Sequence, residues 1–366
     1  MSTLKVNNIQ NANGTSAIAI DSSGVATFSK TLVPSSSMMY RNIIINGDMR
    51  IAQRGTSFTG LTGGNNYTSD RFLFQPGAGT WSLTQDTDVP TGQGFVNSVK
   101  IACTSTATLT GAQQVHLGQT VEAQNLQHLK YGTSNAEYLT LSFWVKSNKT
   151  GTFEIWLYQA DDGRQLTKTY TISSADTWEQ KTLTVIGDTT GVIDNDNGAG
   201  LYVRWILDTG PDVSSGTAPD GVWEAYNAAN SNANQGVYLA DSTSNYINIT
   251  GVQLEVGDAA TPFEHRPYDA ELARCYRYYE KSGLNNAISW SGDTTNGATY
   301  WDVRAYMIEK RTTPTITVGT EYAKNGFGSA PSISWEATRS FRAYTAANAT
   351  TSGGYFVFGW TAESEL

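Results

Sequence analysis

Two short stretches on either side of the middle of the chain combine β-branched apolar residues with turn residues at one end. Residues 42–48 read NIIINGD, and residues 249–255 read ITGVQLE. Runs of this kind are typical of buried strands bounded by turns. Because the two ends of a domain tend to lie close together, we expect these stretches to be the first and last strands of one closed β-sandwich over residues 41–268.

Apolar and polar positions alternate repeatedly between these two stretches. Val203 and Trp205, for example, alternate with Tyr202 and Arg204, as in a strand with one buried face. Similar patterns predict further strands at residues 71–74, 81–84, 98–102, 138–145, 151–158, 168–172, 179–185 and 201–207. Residues 119–126 predict one short helix. Four tryptophans in apolar strands are expected to lie in a core, namely Trp144, Trp156, Trp205 and Trp360.

One clear helix is predicted after Pro267. We expect Asp269 to cap its first turn and Gly283 to follow its end, with Leu272 and Tyr276 on one face. Strand patterns return at residues 287–290, 298–307, 315–318, 332–335, 340–344 and 354–360. They predict a second, smaller β-sandwich, so that residues 269–366 form a domain with a helix at its start.

Residues 1–40 carry too few apolar positions to build a core of their own. Isolated apolar residues stand among Asn, Ser, Gly and Thr, namely Leu4, Val6, Ile9, Ile18 and Ile20. As a monomer such a segment would leave strand edges and apolar faces open. We therefore expect an extended arm that pairs with copies of itself or docks on a larger assembly, the alternative being a tail without structure. The predicted fold is mainly β, with two tandem jelly-roll-like β-sandwich domains after this arm.

Charge and cysteine content narrow the functional classes. The chain has 24 Lys and Arg against 33 Asp and Glu, with a formal net charge of −9, which argues against a nucleic-acid partner because phosphate binding depends on clustered cations. No apolar run is long enough to insert into a membrane, and the first residues do not resemble a signal peptide. Cys103 and Cys275 fall in different predicted domains, so we expect two buried free thiols and folding in a reducing cytoplasm.

No catalytic motif is evident, and we expect the protein not to be an enzyme. Its three histidines, His116, His128 and His265, lie far apart and fit neither a nucleophile motif nor a zinc-site spacing. A pair of carboxylates for glycoside cleavage is recognised only by its separation in space. A glycan-degrading enzyme therefore remains an alternative at this stage.

The aromatic content favours sugar binding. The chain has 10 Trp and 19 Tyr, and flat rings with polar neighbours suit the apolar face and the hydroxyls of a pyranose. Trp223 and Tyr226 lie in the long polar stretch 208–236, where we expect them to bury little surface. In the C-terminal domain the corresponding candidates are Trp290, Tyr300 and Tyr306.

Several longer strings are similar to those of one class of proteins. Residues 42–48 and 249–255 resemble the opening and closing strands of carbohydrate-binding-module jelly rolls. The strings at residues 41–55, 69–72, 253–267, 270–279 and 358–366 resemble those of tail-fibre and receptor-binding proteins of tailed bacteriophages.

This resemblance implies a virion protein of the tail, made in the host bacterial cytoplasm, that mediates adsorption to a host surface polysaccharide. It also implies a homotrimer, with the arm anchored to other virion tail proteins and residues 269–366 as the receptor-binding domain. Competing interpretations are a purely structural virion component, such as a head fibre, collar or adaptor, and a glycan depolymerase.

The same resemblance implies one metal site. Carbohydrate-binding-module jelly rolls often hold a structural calcium between their first and last strands, and here Asp48 and Glu255 occupy the motif positions. The chain departs from the pattern at Met49 and Arg50, where an aromatic residue and Glu are common, and Arg50 could take the place of the cation itself. No other cofactor is expected.

Overall fold

The computed structural model describes residues 40–366 and, before them, the backbone of three strands. Residues 1–41 and 42–366 are separate compact units. In the first unit, β1 (Asn8–Gln10), β2 (Ser16–Ile20) and β3 (Ala26–Phe28) form an antiparallel sheet. Leu4 and Val6 lie outside the described residues, as do the side chains of Ile9, Ile18 and Ile20. Their role in oligomerisation and anchoring stays a prediction.

Two six-stranded antiparallel sheets form the first part of the second unit. The strands are β4 (Ser57–Leu61), β5 (Leu73–Pro76), β6 (Thr80–Asp86), β7 (Ser98–Ser105), β8 (Gln114–Glu122), β9 (Leu139–Ser147), β10 (Gly151–Gln159), β11 (Arg164–Ile172), β12 (Glu179–Val185), β13 (Ala199–Thr209), β14 (Glu224–Ala225) and β15 (Tyr246–Val256). One sheet has the order β14-β11-β10-β13-β8-β5 and the other the order β12-β9-β15-β7-β6-β4. Their inner faces enclose one core, in which Phe143 of β9 meets Trp205 of β13 edge to face at 5.5 Å.

The segment at residues 42–48 lies beside β15 but is not a strand, so the prediction of a strand there is wrong. Asn46 has a φ of 60°, in the left-handed region, which breaks an extended run. The contact with β15 is made instead by single backbone bonds and by the Asn42 side chain, whose oxygen accepts from the Leu254 amide at 3.0 Å. Gly47 approaches so closely that a Cβ there would lie 2.0 Å from the Val252 carbonyl oxygen. The expected proximity of the two stretches is nevertheless confirmed.

Helices are short and few in the part of the chain that the structure describes. The predicted helix at residues 119–126 is wrong in its first half, because β8 continues to Glu122 and a 3₁₀ helix then spans Ala123–Leu129. Further 3₁₀ turns span Pro211–Val213, Ala228–Asn230 and Leu284–Asn286. No helix among the described residues is long and apolar enough to cross a membrane.

The predicted C-terminal helix is present as α1 (Tyr268–Tyr276). It begins at Tyr268, so Asp269 lies within its first turn and Pro267 takes the capping position without a side-chain bond. It ends before Gly283, because the chain turns at Arg277 and enters a strand at Tyr279. Cys275 on this helix and Cys103 on β7 are both buried and free, as expected.

A second, smaller pair of sheets follows α1. The strands are β16 (Tyr279–Lys281), β17 (Ile288–Thr294), β18 (Thr299–Ala305), β19 (Thr315–Asn325), β20 (Ser332–Ser334), β21 (Ser340–Ala346) and β22 (Thr351–Glu363). In one sheet β22 pairs with β16, β17 and β19, and the other has the order β18-β21-β20. They enclose a core of their own around Phe341, Phe356 and Trp360. The mainly β, sandwich-type fold is thereby confirmed, while the boundary at residue 268 stays a prediction.

Candidate functional site

The outer face of the sheet β14-β11-β10-β13-β8-β5 carries aromatic side chains that do not belong to the core. On β10, Ile155 and Leu157 point into the core, so Trp156 and Tyr158 point to the opposite side. The Trp156 and Tyr158 rings are stacked with their centres 5.1 Å apart and their planes at 9°. Trp156 is nevertheless only 6% exposed, because neighbouring side chains cover it. We call this surface the outer face.

Strand register brings two more tyrosines to this pair. Tyr202 of β13 stands directly opposite Tyr158, with ring centres 5.8 Å apart. Tyr226 follows the short edge strand β14, and its backbone amide donates to the Gly163 carbonyl at 2.8 Å. Its ring then meets Tyr158 edge to face at 5.4 Å and remains 49% exposed. Trp156, Tyr158, Tyr202 and Tyr226 form what we call the aromatic cluster.

Arg204 lies at one side of the aromatic cluster. Its guanidinium sits 5.0 Å from the Trp156 ring centre and 4.8 Å from that of Tyr202, a distance at which a cation is attracted to the ring face. Gly118 stands opposite Arg204 on β8, and a Cβ there would lie 2.9 Å from the Arg204 Cγ. Because Gly118 has no side chain, the Arg204 stem can lie across that position.

An open groove of about 550 Å³ adjoins Arg204 on the same face. Its walls include Gln75, Gln114 and His116. His116 is 2% exposed, and neither of its ring nitrogens has a hydrogen-bond partner in the described part of the chain. Burial, and then the charge of Arg204, holds the pKa of His116 well below its usual value, so the imidazole is neutral at pH 7.

The long polar stretch at residues 208–236 covers the other end of the outer face. The Asn234 backbone amide donates to Glu154 Oε2 at 2.7 Å, and its side-chain amide donates to Thr167 Oγ1 at 2.9 Å. These bonds bury Glu154 completely. Tyr226, which belongs to this stretch, remains 49% exposed, and no residue of the stretch lines the groove beside Arg204.

Of the two aromatic residues of this loop that were predicted to bind sugar, the structure places only one at the surface. Trp223 is 8% exposed, donates from Nε1 to the Ile186 carbonyl at 2.8 Å and meets Tyr131 edge to face. The expectation that Trp223 buries little surface is therefore wrong, because its ring enters the main core. Tyr226 is exposed, as expected. Their part in sugar binding stays a prediction.

The C-terminal candidates point inward. Tyr306 is buried, and Trp290 and Tyr300 pack partly buried against the second core with ring centres 4.3 Å apart. The side chains that reach solvent belong to neighbouring positions. Trp301 is 58% exposed on β18 and Trp335 is 72% exposed after β20.

Asp48 and Glu255 are held by separate partners rather than arranged as a cation site. Asp48 pairs with Arg50 Nε at 3.0 Å. Arg50 therefore supplies the positive charge that a bound cation would otherwise provide at Asp48. Glu255 is fully buried and accepts from the Thr261 amide at 2.8 Å and from Gln253 at 2.9 Å. No cluster of three or more His, Cys, Asp or Glu suited to a metal occurs among the described residues. The residues present therefore do not fit the structural calcium that the resemblance implies.

Sequence reasoning did not identify the aromatic cluster beyond Tyr226. Trp156 and Trp144 were expected in a core, yet neither belongs to the core of the larger sandwich. The signal that could have found them is the alternation itself, since Phe143, Val145, Ile155 and Leu157 already occupy the inward positions. Trp205 and Trp360 do lie in the cores, as expected.

The sequence matches no protein-family model and no curated protein. Among solved structures the chain is similar to carbohydrate-binding modules and to one phage tailspike domain. The enzymatically active domain of tailspike protein 4 from bacteriophage CBA120 has 13% identity and a TM-score of 0.31, covering 59% of this chain and 22% of that structure.

Two carbohydrate-binding modules show a comparable level of similarity. A family 11 module of a Clostridium thermocellum cellulosomal cellulase has 12% identity and a TM-score of 0.26, covering 61% of this chain and 97% of the module. The CBM22-1 xylan-binding domain from Paenibacillus barcinonensis has 10% identity and a TM-score of 0.25, covering 60% of this chain and 96% of the domain. Similarity at this level assigns neither a ligand nor an activity to the chain.

Proposed function

We propose that this chain is a tail-fibre or receptor-binding protein of a tailed phage that attaches the virion to a glycan on the host surface. The observation that carries the proposal is the aromatic cluster, which gathers four rings on the outer face although the core on the other side is complete. The phage assignment is supported by the strings at residues 41–55, 69–72 and 253–267, which resemble those of tail-fibre proteins.

The chemistry of the outer face suits a sugar. The Tyr158 and Tyr226 rings offer flat apolar surface to the C–H face of a pyranose. The amide groups of Gln75 and Gln114 line the groove on the same face, and no hydrogen bond to either side chain occurs in the described part of the chain, which leaves them for sugar hydroxyls. Each such site is weak alone, and several copies on one particle give firm attachment through effective concentration.

We propose binding without cleavage. The carboxylates on the strands that carry the cluster are engaged in structural bonds. Glu154 is buried under Asn234, and Glu224 accepts from Gln165 at 2.9 Å and from Asn230 at 3.0 Å. Cleavage of a glycosidic bond requires two carboxyl groups free to face the substrate from opposite sides.

The test is adsorption by the purified full-length chain. Soluble protein should bind host cells and compete with infection, and a Tyr158→Ala/Tyr226→Ala double variant should bind about thirtyfold more weakly, since each of the two ring contacts is worth about 1 kcal/mol. A Tyr322→Ala/Tyr355→Ala double variant removes two exposed tyrosines from the smaller sandwich and serves as the matched control.

Three outcomes would change the proposal. If the wild-type chain binds no host surface, the purely structural virion component becomes the better interpretation. If both double variants lose binding equally, the site does not lie on the outer face. If purified protein shortens host polysaccharide during incubation, the chain is a depolymerase.

The C-terminal domain keeps its proposed part in receptor binding with different residues. Arg342 lies 3.8 Å from the Trp335 ring centre, and Tyr344 pairs with Trp301 across β18 and β21. A Trp301→Ala/Trp335→Ala double variant should weaken host-cell binding with an unchanged melting temperature, because both rings are largely exposed. Unchanged binding would limit the receptor site to the larger sandwich.

A further inference from the structure

Arg204 is a positive charge without a matching negative one. Its side chain forms no hydrogen bond or ion pair within the described residues and interacts with the rings of Trp156 and Tyr202. Burial lowers the pKa of Arg204, and the Tyr202 and Tyr226 phenols raise it. No carboxylate among the described residues contributes to the shift. Partly buried charges are normally paired, and this chain has more acidic than basic residues to supply partners.

The position of Arg204 is fixed by its surroundings. The stem lies across Gly118, and the guanidinium rests on two rings. A planar guanidinium held in this way presents its N–H groups in a fork that matches the two oxygens of a carboxylate. Little side-chain freedom remains to be lost when a ligand binds.

Unpaired polar groups beside Arg204 point to the same ligand. His116 also lines the groove, but both of its ring nitrogens are buried and offer a ligand no accessible group. Gln75 and Gln114 add amide donors and acceptors along the same wall.

We propose that the groove beside Arg204 binds a carboxylated sugar, such as a uronic acid, within an acidic host polysaccharide. The carboxylate pairs with the Arg204 guanidinium, ring hydroxyls bond Gln75 and Gln114, and a neighbouring sugar stacks on the aromatic cluster. This inference rests on the proposed glycan-binding function and adds the class of glycan. The overall negative charge of the chain would oppose an acidic ligand at long range, so the attraction must be local to Arg204.

The experiment compares acidic oligosaccharides with their neutral counterparts. Immobilised glucuronate-, galacturonate- and mannuronate-containing oligosaccharides are each paired with the carboxyl-reduced form of the same oligosaccharide and probed with the full-length protein. Binding to at least one acidic member should exceed binding to its reduced form by about tenfold or more and should fall as salt is added. Phosphorylated oligosaccharides form a third arm that reports a preference for phosphate over carboxylate.

Variants assign the preference to Arg204. Arg204→Gln should abolish the acidic preference, and Arg204→Lys should restore only part of it, because Lys keeps the charge and loses the fork. Lys130→Gln is the matched control, since it removes one positive charge from an exposed pair with Glu137. Melting temperatures confirm that each variant is folded.

The outcomes separate this inference from the proposed function. Equal binding of acidic and reduced forms, lost in Tyr158→Ala/Tyr226→Ala but retained in Arg204→Gln, overturns the acidic preference and leaves glycan binding in place. A preference for phosphorylated over carboxylated members overturns the choice of carboxylate. Absence of binding to every member and to host cells overturns both proposals.

Discussion

Arg277 holds Glu122 in a two-pronged ion pair, with Nε 2.6 Å from one carboxylate oxygen and a terminal nitrogen 2.7 Å from the other. The Tyr278 hydroxyl donates to the same carboxylate at 2.5 Å. Glu122 ends β8 and is fully buried, whereas Arg277 and Tyr278 follow α1. Burial alone would raise the pKa of Glu122, but the bonds from Arg277 and Tyr278 outweigh it and lower that pKa. The pair therefore joins the larger sandwich to the chain that begins the smaller one.

Glu122→Ala should lower the free energy of unfolding by about 3–5 kcal/mol, because it leaves the Arg277 guanidinium and a buried Tyr278 hydroxyl without their acceptor. Chemical denaturation followed by tryptophan fluorescence measures the change. Arg339→Ala removes an ion pair with Glu309 at the surface and should leave stability almost unchanged, because solvent screens an exposed pair. Equal effects of the two variants would mean that the buried pair adds nothing to stability.

Trp223→Ala and Tyr226→Ala should have opposite effects although the two residues are three positions apart. Trp223→Ala should cost about 3–5 kcal/mol of stability, because its ring fills part of the main core. Tyr226→Ala should leave the melting temperature nearly unchanged and weaken binding to host cells. Thermal unfolding and cell binding of both variants test this pair. A stable Trp223→Ala protein would show that the ring is not packed in the core.

The strands were largely predictable from the sequence because their signal is local. The patterns at residues 151–158, 179–185 and 201–207 all lie within observed strands. The segment at residues 42–48 was not predictable as a bend, since its apolar run fits a strand equally well. Its conformation depends on the left-handed Asn46 and on bonds from Asn42 to β15, which lies more than two hundred positions away.

The candidate site was less predictable than the fold because it depends on which face of each strand looks outward. Trp156 is apolar and stands in an apolar strand, so composition favours a core position. The pairing of β10 with β13 places Arg204 beside Trp156 on the outer face, and no local pattern specifies that register. For the same reason the sequence favoured Tyr300 as a sugar-binding candidate in the C-terminal domain, whereas its neighbour Trp301 is the residue exposed to solvent.

Stability should depend on pH through Glu154. Burial raises the pKa of Glu154, the hydrogen bond from the Asn234 amide lowers it and the nearby Asp220 raises it, so that the pKa moves from 4.5 for the unperturbed group to about 8. Between these values the folded protein holds a proton that the unfolded chain has released, so increasing pH favours unfolding. The loss begins above pH 4.5 and levels off above about pH 8, with a total of about 3–5 kcal/mol at most.

Glu154→Gln should remove this contribution, since an amide does not titrate and can still accept from the Asn234 backbone amide. Denaturation of both proteins at intervals from about pH 5 to pH 9 gives the difference in stability. The free energy of unfolding of Glu154→Gln minus that of the wild type should increase with pH up to about pH 8 and remain constant above it. A difference that does not change with pH would place the Glu154 pKa near its usual value.

Deleting residues 1–36 should leave the rest of the protein folded, because residues 42–366 form a compact unit by themselves. The melting temperature should therefore match that of the full-length chain. The full-length chain should have a mass near three times its 39.6 kDa in light scattering, and the truncated chain should be smaller and absent from particles.

The trimer and the anchoring role are expected because the arm has strands and apolar residues but too few of them for a core. Its apolar faces must therefore be covered by other chains. Truncated protein in purified particles at normal copy number would contradict the anchoring role. A full-length chain that is monomeric in solution would contradict the trimer, and the arm would then act by docking on the particle alone.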